Sequence, residues 1–403
     1  VKGIGMTSST PTRVQASEKS GSLALNISDF PREEFQRRLA QLQGQLKDRG
    51  LAGAIIDDQE ILSYITNYER TVSYYRACIV PAEGAPVMVL RALDLDPFRA
   101  ASWISSAVGY QDDDDPIAHI AEVAGKLGIV SQSIGLDFGS HALTVSTFNQ
   151  LKQAMPSAQF IDLGSLFWEN RLLKSKCEIG YLEAAAAIAD QMASEIVAQA
   201  KPGITTRGIS AYVAGRSIEL GGSTCHLGPI TAGKGWGFLH AAMSTKPLEE
   251  GDIMHLELTP RVRGYGARLM RPVVIGSIPA DLREVADTLI GLQDRQFSAM
   301  KPGVAAREVD AILRDGVLRA KLRDSYLNIT GYTLGFYGTT AIRSSDFTRV
   351  FKPSSDWHLQ PGMVFHMYTS AQGLAFSETI LVTEDGARRL TRTERKVFST
   401  VDR

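Results

Sequence analysis

Three cysteines in 403 residues, Cys78, Cys177 and Cys225, are odd in number and far apart. That excludes a disulfide framework and points to a reducing, cytoplasmic setting. No Cys-x-x-Cys occurs, and His226, His240 and His255 show no short ligand spacing, so no zinc motif is present. No apolar run approaches the ~20 residues of a membrane span. A net charge of −1 leaves no basic surplus for nucleic acid. The expected partner is therefore a small molecule, with no cofactor, nucleic acid or membrane. What remains is an ordinary globular composition, 44% hydrophobic, in a chain long enough for two or three domains.

Residues 1–29 read as a tag remnant, Val1 to Gly5, followed by a Ser/Thr-rich flexible tail. Pro31-Arg32-Glu33-Glu34 then opens a helix, with proline in the first turn and acids at the positive end of the dipole. Phe35, Leu39, Leu42 and Leu46 recur at helical spacing until Gly50 ends it. Leu51–Ile56, Ile79-Val80, Val87–Leu90 and Ile134–Asp137 read as strands. Strands alternating with helices predict an α/β domain over residues 30–167. The acidic run Asp112 to Asp115 is either a cation site or a solvated loop.

Residues 168–403 form the second predicted domain, and it contains a repeat. Ala200-Lys201-Pro202-Gly203-Ile204-Thr205-Thr206-Arg207 returns as Met300-Lys301-Pro302-Gly303-Val304-Ala305-Ala306-Arg307. Gly251-Asp252-Ile253-Met254-His255-Leu256-Glu257 returns as Gly362-Met363-Val364-Phe365-His366-Met367-Tyr368. Two such units predict a pseudo-twofold domain with a site between its halves. Alternate strand residues share a face, so His255 lies beside Glu257 and His366 beside Tyr368, and Glu257 is expected to face Tyr368.

Glu257 stands in an apolar strand, where an unpaired carboxylate is costly. Two readings stand: an ion pair with Arg261, Arg268 or Arg271, or a nucleophile or general base. His240, after the glycine-rich segment 233–239, is either structural or the proton carrier for Glu257. Lys234 among those glycines lacks P-loop spacing and reads as a loop. Gly264-Tyr265-Gly266 reads as a hairpin turn between the Glu257 strand and one over Leu269–Ile275. Arg268 and Arg271 beside it either clamp a substrate carboxylate or neutralise Glu257.

These residues carry a resemblance. Leu173-Lys174-Ser175, His240, Leu248-x-x-Gly251-Asp252-Ile253, Gly264-Tyr265, Gly331-Tyr332-Thr333-Leu334-Gly335, Leu359-x-Pro361-Gly362-Met363-Val364-Phe365 and Glu378-Thr379-Ile380-Leu381-Val382-Thr383 occur in the order found in the pita-bread superfamily. From Phe30 onward the chain resembles that superfamily, which includes aminopeptidase P, prolidase, creatinase and ectoine hydrolase. The resemblance implies a creatinase-like α/β N-terminal domain followed by a pseudo-twofold α+β pita-bread domain. It also implies a homodimer in which the N-terminal domain of one subunit covers the site of the other. Tyr74 and Arg76 are candidates for that wall, or else simply belong to their own domain.

The metallopeptidases of the superfamily hold two metal ions with four carboxylates and a histidine. The matching positions here are Glu257, Arg268, Tyr332, Tyr368 and Ser377, and all five depart from that pattern. An arginine repels a dication, which puts a metal site in doubt. Glu378 falls one position from a ligand and should point to the other face of its strand. Two members of the superfamily work without metal, creatinase and ectoine hydrolase. Against creatinase, two catalytic glutamates fall at Met270 and Tyr368. Ectoine hydrolase is the nearer match, at Glu257, Gly331-Tyr332-x-Leu334-Gly335, Phe365-His366 and Gly373-Leu374-x-x-Ser377-Glu378-Thr379-Ile380. Ala375 departs from it.

The resemblance thus implies metal-independent hydrolysis of a C–N bond in a small amidine- or guanidine-like carboxylate, with ectoine or hydroxyectoine first. Glu257 and His240 would be catalytic. Arg268, Arg271, Tyr332, Tyr368, His366, Ser377, Glu378, Tyr74 and His255 would surround the substrate, and no residue is assigned to a metal. The alternatives are a creatinase-type amidinohydrolase, a metal-dependent Xaa-Pro dipeptidase-like enzyme, or a non-catalytic binding protein of the same fold.

Overall fold

A computed structural model describes residues 30–69, 74–223, 227–338 and 343–401. The N-terminal 29 residues, Cys225 and His226 lie outside the described residues. The chain forms two compact units. One holds Ser28–Arg171 with Phe336–Ser344, the other Leu172–Gly335 with Ser345–Arg403.

In the first unit the strands are β1 (Gly53–Ile56), β2 (Ala77–Pro81), β3 (Val87–Arg91), β4 (Ala107–Tyr110), β5 (Ser133–Leu136) and β6 (Gln159–Asp162). They form one sheet in the order β4-β3-β2-β1-β5-β6. Its helices are α1 (Arg32–Asp48), α2 (Gln59–Thr66), α3 (Leu95–Ala101), α4 (Pro116–Lys126), α5 (Val145–Ala154) and α6 (Leu166–Glu169). Phe35, Leu39, Leu42 and Leu46 are the buried stripe of α1, as their spacing predicts. Ile55, Ile79, Val89 and Ile134 pack with Ile120 and Leu151 of α4 and α5 into one core. The acidic run is a helix entrance: Asp115 caps α4 by accepting from the Ile117 amide at 2.9 Å, and Asp112 pairs with Arg91. Tyr74 lies under that same Arg91, whose guanidinium is 4.6 Å from the ring centre.

In the second unit, α7 (Lys176–Gln199) and α8 (Thr206–Glu219) precede β7 (Leu227–Gly233), β8 (Ile253–Leu258), β9 (Arg261–Val262), β10 (Tyr265–Gly266) and β11 (Leu269–Val274). Then α9 (Ala280–Ala299) and α10 (Ala306–Arg319) precede β12 (Gly331–Thr333), β13 (Asp346–Phe351), β14 (Val364–Ala371), β15 (Leu374–Thr383), β16 (Gly386–Arg389) and β17 (Phe398–Ser399). The large sheet runs β13-β12-β14-β15-β11-β8-β7, with β16 on β15 and β17 on β11. Ser175 and Glu178 close a capping box at the start of α7, and Glu178 also accepts the Tyr265 hydroxyl at 2.9 Å. One acid thus sets both the helix start and the β9–β10 hairpin.

The repeat is visible bond by bond. The Gly203 amide donates to Leu248 O at 2.9 Å and the Gly303 amide to Leu359 O at 2.8 Å. Thr205 bridges Pro247, and Ala305 bridges His358. Gly251 donates to Ile275 O at 2.7 Å and Gly362 to Val382 O at 2.9 Å. Gly251 and Gly362 take φ of 84° and 88°, a left-handed turn that a side chain would strain, which is why glycine recurs there.

One local expectation is corrected. The hairpin after Glu257 does not turn on Gly264-Tyr265-Gly266. Val262 pairs with Tyr265, and the turn residues are Arg263 and Gly264, both at positive φ. Two successive left-handed residues match the twist of the short strands, so Tyr265 is released to pack as a strand residue.

Candidate functional site

The register of the large sheet builds the site. Glu257 of β8 pairs with Met270 of β11, Met270 with Ser377 of β15, and Ser377 with Tyr368 of β14. Directly opposed residues share a face, so these four side chains form one row across four strands. A second row runs Tyr332, His366, Thr379. Thr379 joins it to Arg268: its hydroxyl donates to Arg268 O and accepts the Arg268 amide, both at 2.9 Å. The alternate residues of the same strands face the other way. Phe365, Met367, Ile380 and Val382 pack with Phe297 and Met300 of α9 and its C-terminal end, while Phe376 joins the Leu289 and Leu292 cluster. Strand alternation therefore divides an apolar helix-facing layer from a polar one.

On the polar face Glu257 is 2% exposed. Arg268 Nη1 donates to its Oε1 at 2.7 Å, and His255 Nε2 lies 3.7 Å from Oε2. Burial opposes ionisation of Glu257, but the His255 ring and the Arg268 charge outweigh it and hold the carboxyl down at about 2. His366 is fully buried, and neither ring nitrogen has a hydrogen-bond partner among the described residues. Burial first, and then the Arg268 charge, push it down to about 3, so it is a neutral imidazole. Its ring stacks on Tyr368 at 5.2 Å and meets Tyr332 edge-on at 5.0 Å. The Arg268 guanidinium lies 5.5 Å from the Tyr332 ring centre. Tyr368 is the half-buried member, and its hydroxyl lies beside Asn328. Burial raises its pKa. Ser377 is buried with its hydroxyl unpartnered among the described residues. Gly228 of β7 makes room for this arrangement: a Cβ there would sit 2.5 Å from Glu257 O and 3.0 Å from Cγ.

The face thus brings together seven of the residues expected from sequence: Glu257, His255, Arg268, Tyr332, His366, Tyr368 and Ser377. Three others are placed differently. Arg271 and Glu378 form a pair at 2.7 Å on the opposite face, both 0% exposed in their side chains. Arg271 also donates to the carbonyls of Met270, Ser377, Thr393 and Glu394, and Thr391 donates to Glu378. With its donors spent, Arg271 anchors the C-terminal segment and has none left for a substrate carboxylate. Glu378→Gln is expected to lower stability by about 3 kcal/mol in denaturant titration, since it leaves a buried guanidinium without its counter-charge. His240 is the third. It lies in an exposed turn after β7 and makes no hydrogen bond or ion pair with Glu257 among the described residues. The neighbouring imidazoles are instead His255 and His366, which occupy matching positions in the two repeats. Tyr74 belongs to the first unit, under Arg91.

Sequence reasoning missed Arg323 and Asn328, which neighbour Tyr368, and Trp236, which lies against Arg323. Arg323 donates to Asn328 Oδ1 at 3.0 Å, and its guanidinium lies 4.9 Å from the Trp236 ring centre. The repeat gave no signal for them because they lie in connections outside the matched strands.

A metal pair fits these residues poorly. Arg268 places its charge on Glu257, the carboxylate a cation would need, and two tyrosines and a serine stand at the other positions. Among the described residues no group of three or more His, Cys, Asp or Glu converges to hold an ion. No described helix is long and apolar enough to cross a membrane.

An α/β unit followed by a pseudo-twofold sheet unit with its polar residues on one face is a pita-bread hydrolase frame. Residues 180–384 match the metallopeptidase family M24 and residues 38–173 the creatinase/prolidase N-terminal domain; the chain belongs to family M24. It is 25% identical over 394 residues to ectoine hydrolase of Halomonas elongata, covering 92% of this chain and 98% of that one. It is 27% identical over 366 residues to a Mycobacterium tuberculosis protein named Probable dipeptidase PepE, covering 89% and 94%. Among solved structures, dipeptidase PepE from Mycobacterium ulcerans superposes with a TM-score of 0.76 at 22% identity, covering 93% of this chain and all of that one. A dipeptidase from Pyrococcus horikoshii gives 0.78 at 24%, covering 90% and 99%. Both likenesses speak to the fold.

Proposed function

We propose that the chain is a metal-independent hydrolase that opens a C–N bond of a small zwitterionic amidine carboxylate, ectoine or hydroxyectoine first. The observation that carries this is the buried Glu257–Arg268 pair at 2.7 Å. The pair is a ready dipole with no net charge. A zwitterion adds no net charge beside this pair: its amidinium faces Glu257 and its carboxylate a guanidinium, so no buried charge is left unmatched. A bare cation or a bare anion leaves one charge unmatched. The full-length similarity to a protein named ectoine hydrolase supports the same substrate class.

A carboxyl held at about 2 is a weak base but stays ionised, which suits a nucleophile better than a general base. Glu257 attacks the amidine carbon and one ring C–N bond breaks. The departing nitrogen takes a proton by way of His255, the imidazole 3.7 Å from Glu257. Water then cleaves the bound intermediate and leaves an amide. Tyr332, Tyr368 and His366 wall the ring with aromatic faces that favour a cation.

Turnover of ectoine, hydroxyectoine, creatine and a Xaa-Pro dipeptide decides the matter. Ectoine or hydroxyectoine should be opened at a rate unchanged by chelator, with His255→Asn slower than His240→Ala. Cleavage of the dipeptide alone, abolished by chelator, would replace this reading with the metal-dependent one.

A further inference from the structure

The zwitterion needs a cation for its carboxylate, and the arginines of the second unit are not equally free to supply it. Arg271 is saturated on the far face. Arg268 is bound to Glu257. Arg323, in the connection between α10 and β12, stands apart from both. Its guanidinium lies over two rings, 4.9 Å from the Trp236 ring centre and 4.3 Å from that of Tyr326. One of its five N–H groups donates to Asn328 Oδ1 at 3.0 Å, and among the described residues no carboxylate pairs with it. Asn328 in turn lies beside the hydroxyl of Tyr368, whose phenol feels the charges of Glu257, Arg268 and Arg323.

The backbone that carries Tyr326 and Asn328 is itself anchored. Arg314 donates to Tyr326 O and to Asn328 O, and Asp310 holds Arg314 at 2.7 and 2.9 Å. Tyr326 is buried, while Trp236 is 43% exposed. A guanidinium held over two rings and bonded to a side-chain amide loses little freedom when an anion arrives. Asn328 sets this arginine next to the tyrosine of the polar face.

We propose that Arg323 reads the substrate carboxylate at the rim of the site, with Trp236, Tyr326 and Asn328 holding it in place. This rests on the substrate class proposed above. It makes Arg323 a specificity residue, leaving Arg268 to the charge balance of Glu257.

Calorimetric titration of the full chain tests it, with ectoine and its carboxamide, which keeps the amidinium but lacks the carboxylate, as probes. In Arg323→Met, ectoine should bind about 10- to 100-fold more weakly, the loss of one charged, forked contact, while carboxamide binding is unchanged. Arg323→Lys keeps the charge without the fork and should fall between, and it carries the comparison if the Met variant melts. Equal weakening of both probes, or of neither, overturns the proposal. If wild type binds no ectoine, the substrate class has failed, and acetate against acetamide takes over. Acetate binding that disappears with Arg323 keeps the carboxylate reader for a different substrate. Acetate bound equally by both proteins, or by neither, removes it.

Discussion

Glu257→Gln removes turnover, by about 10³-fold or more, because the amide keeps the shape but neither attacks nor balances a cation. Stability falls with it. Arg268 loses its buried counter-charge, at a cost of about 3 kcal/mol. The pH dependence separates this from a simple packing defect. Glu257 ordinarily titrates at 4.5 and is held at about 2 in the fold. A depressed carboxyl contributes stability that is fully present above pH 4.5 and is lost as pH falls through 2. The contribution amounts to something on the order of 3 kcal/mol. In Glu257→Gln that acid-side loss should be missing from denaturant midpoints measured between pH 5 and pH 2.5. A variant that kept wild-type turnover would sink the assignment of Glu257 whatever its stability.

His366→Phe should do the opposite to stability while damaging activity. The imidazole is buried with both nitrogens unpartnered among the described residues and is pushed from 6.5 to about 3. Replacing an unsatisfied buried polar ring by an apolar one of similar shape costs little at neutral pH and removes an unpaid desolvation. Below pH 6.5 the sign is fixed: the unfolded chain takes up a proton that the folded one refuses. Stability therefore drains as pH falls toward 3, by up to about 5 kcal/mol. The Phe variant should resist acid unfolding better than wild type. At pH 5 Glu257 is ionised folded or unfolded, so the difference there belongs to His366 alone. Turnover should drop, because the polar face loses its neutral donor and acceptor beside Tyr368. If wild type and variant lose stability in parallel between pH 7 and pH 4, the neutral imidazole is not what the geometry implies.

Much of this fold could be read from the chain because its signals were local or repeated. The Phe35 to Leu46 stripe, the Lys-Pro-Gly turns and the glycines at 251 and 362 each act within one turn of backbone. Period-two alternation placed His255 with Glu257 and His366 with Tyr368, and the repeat set the two strands in correspondence. What escaped is long-range. Three residues apart, Arg268 and Arg271 fall on opposite faces by alternation, but which of them meets Glu257 depends on the register of β11 against β8. The partner of Glu257 was sought in His240, and strand parity offered the better choice two residues away. Arg323 gave no sign, since its meaning comes from two rings 87 and 3 residues distant in the chain.

The matched glycines and strands leave the two halves with interchangeable sockets. Glu257 and Tyr368 sit at the same station of each half, as do His255 and His366, and the backbone bonds around them are alike. Side chains at these stations stand clear of the ladder, so exchanging one leaves its backbone bonds in place even where it costs stability. A sheet of this kind behaves as a pegboard: chemistry is rewritten by changing pegs, and a carboxylate on one side with a phenol on the other converts a symmetric holder into a polarised one. Directionality of the bound molecule then comes from the chemical inequality of two geometrically equal places.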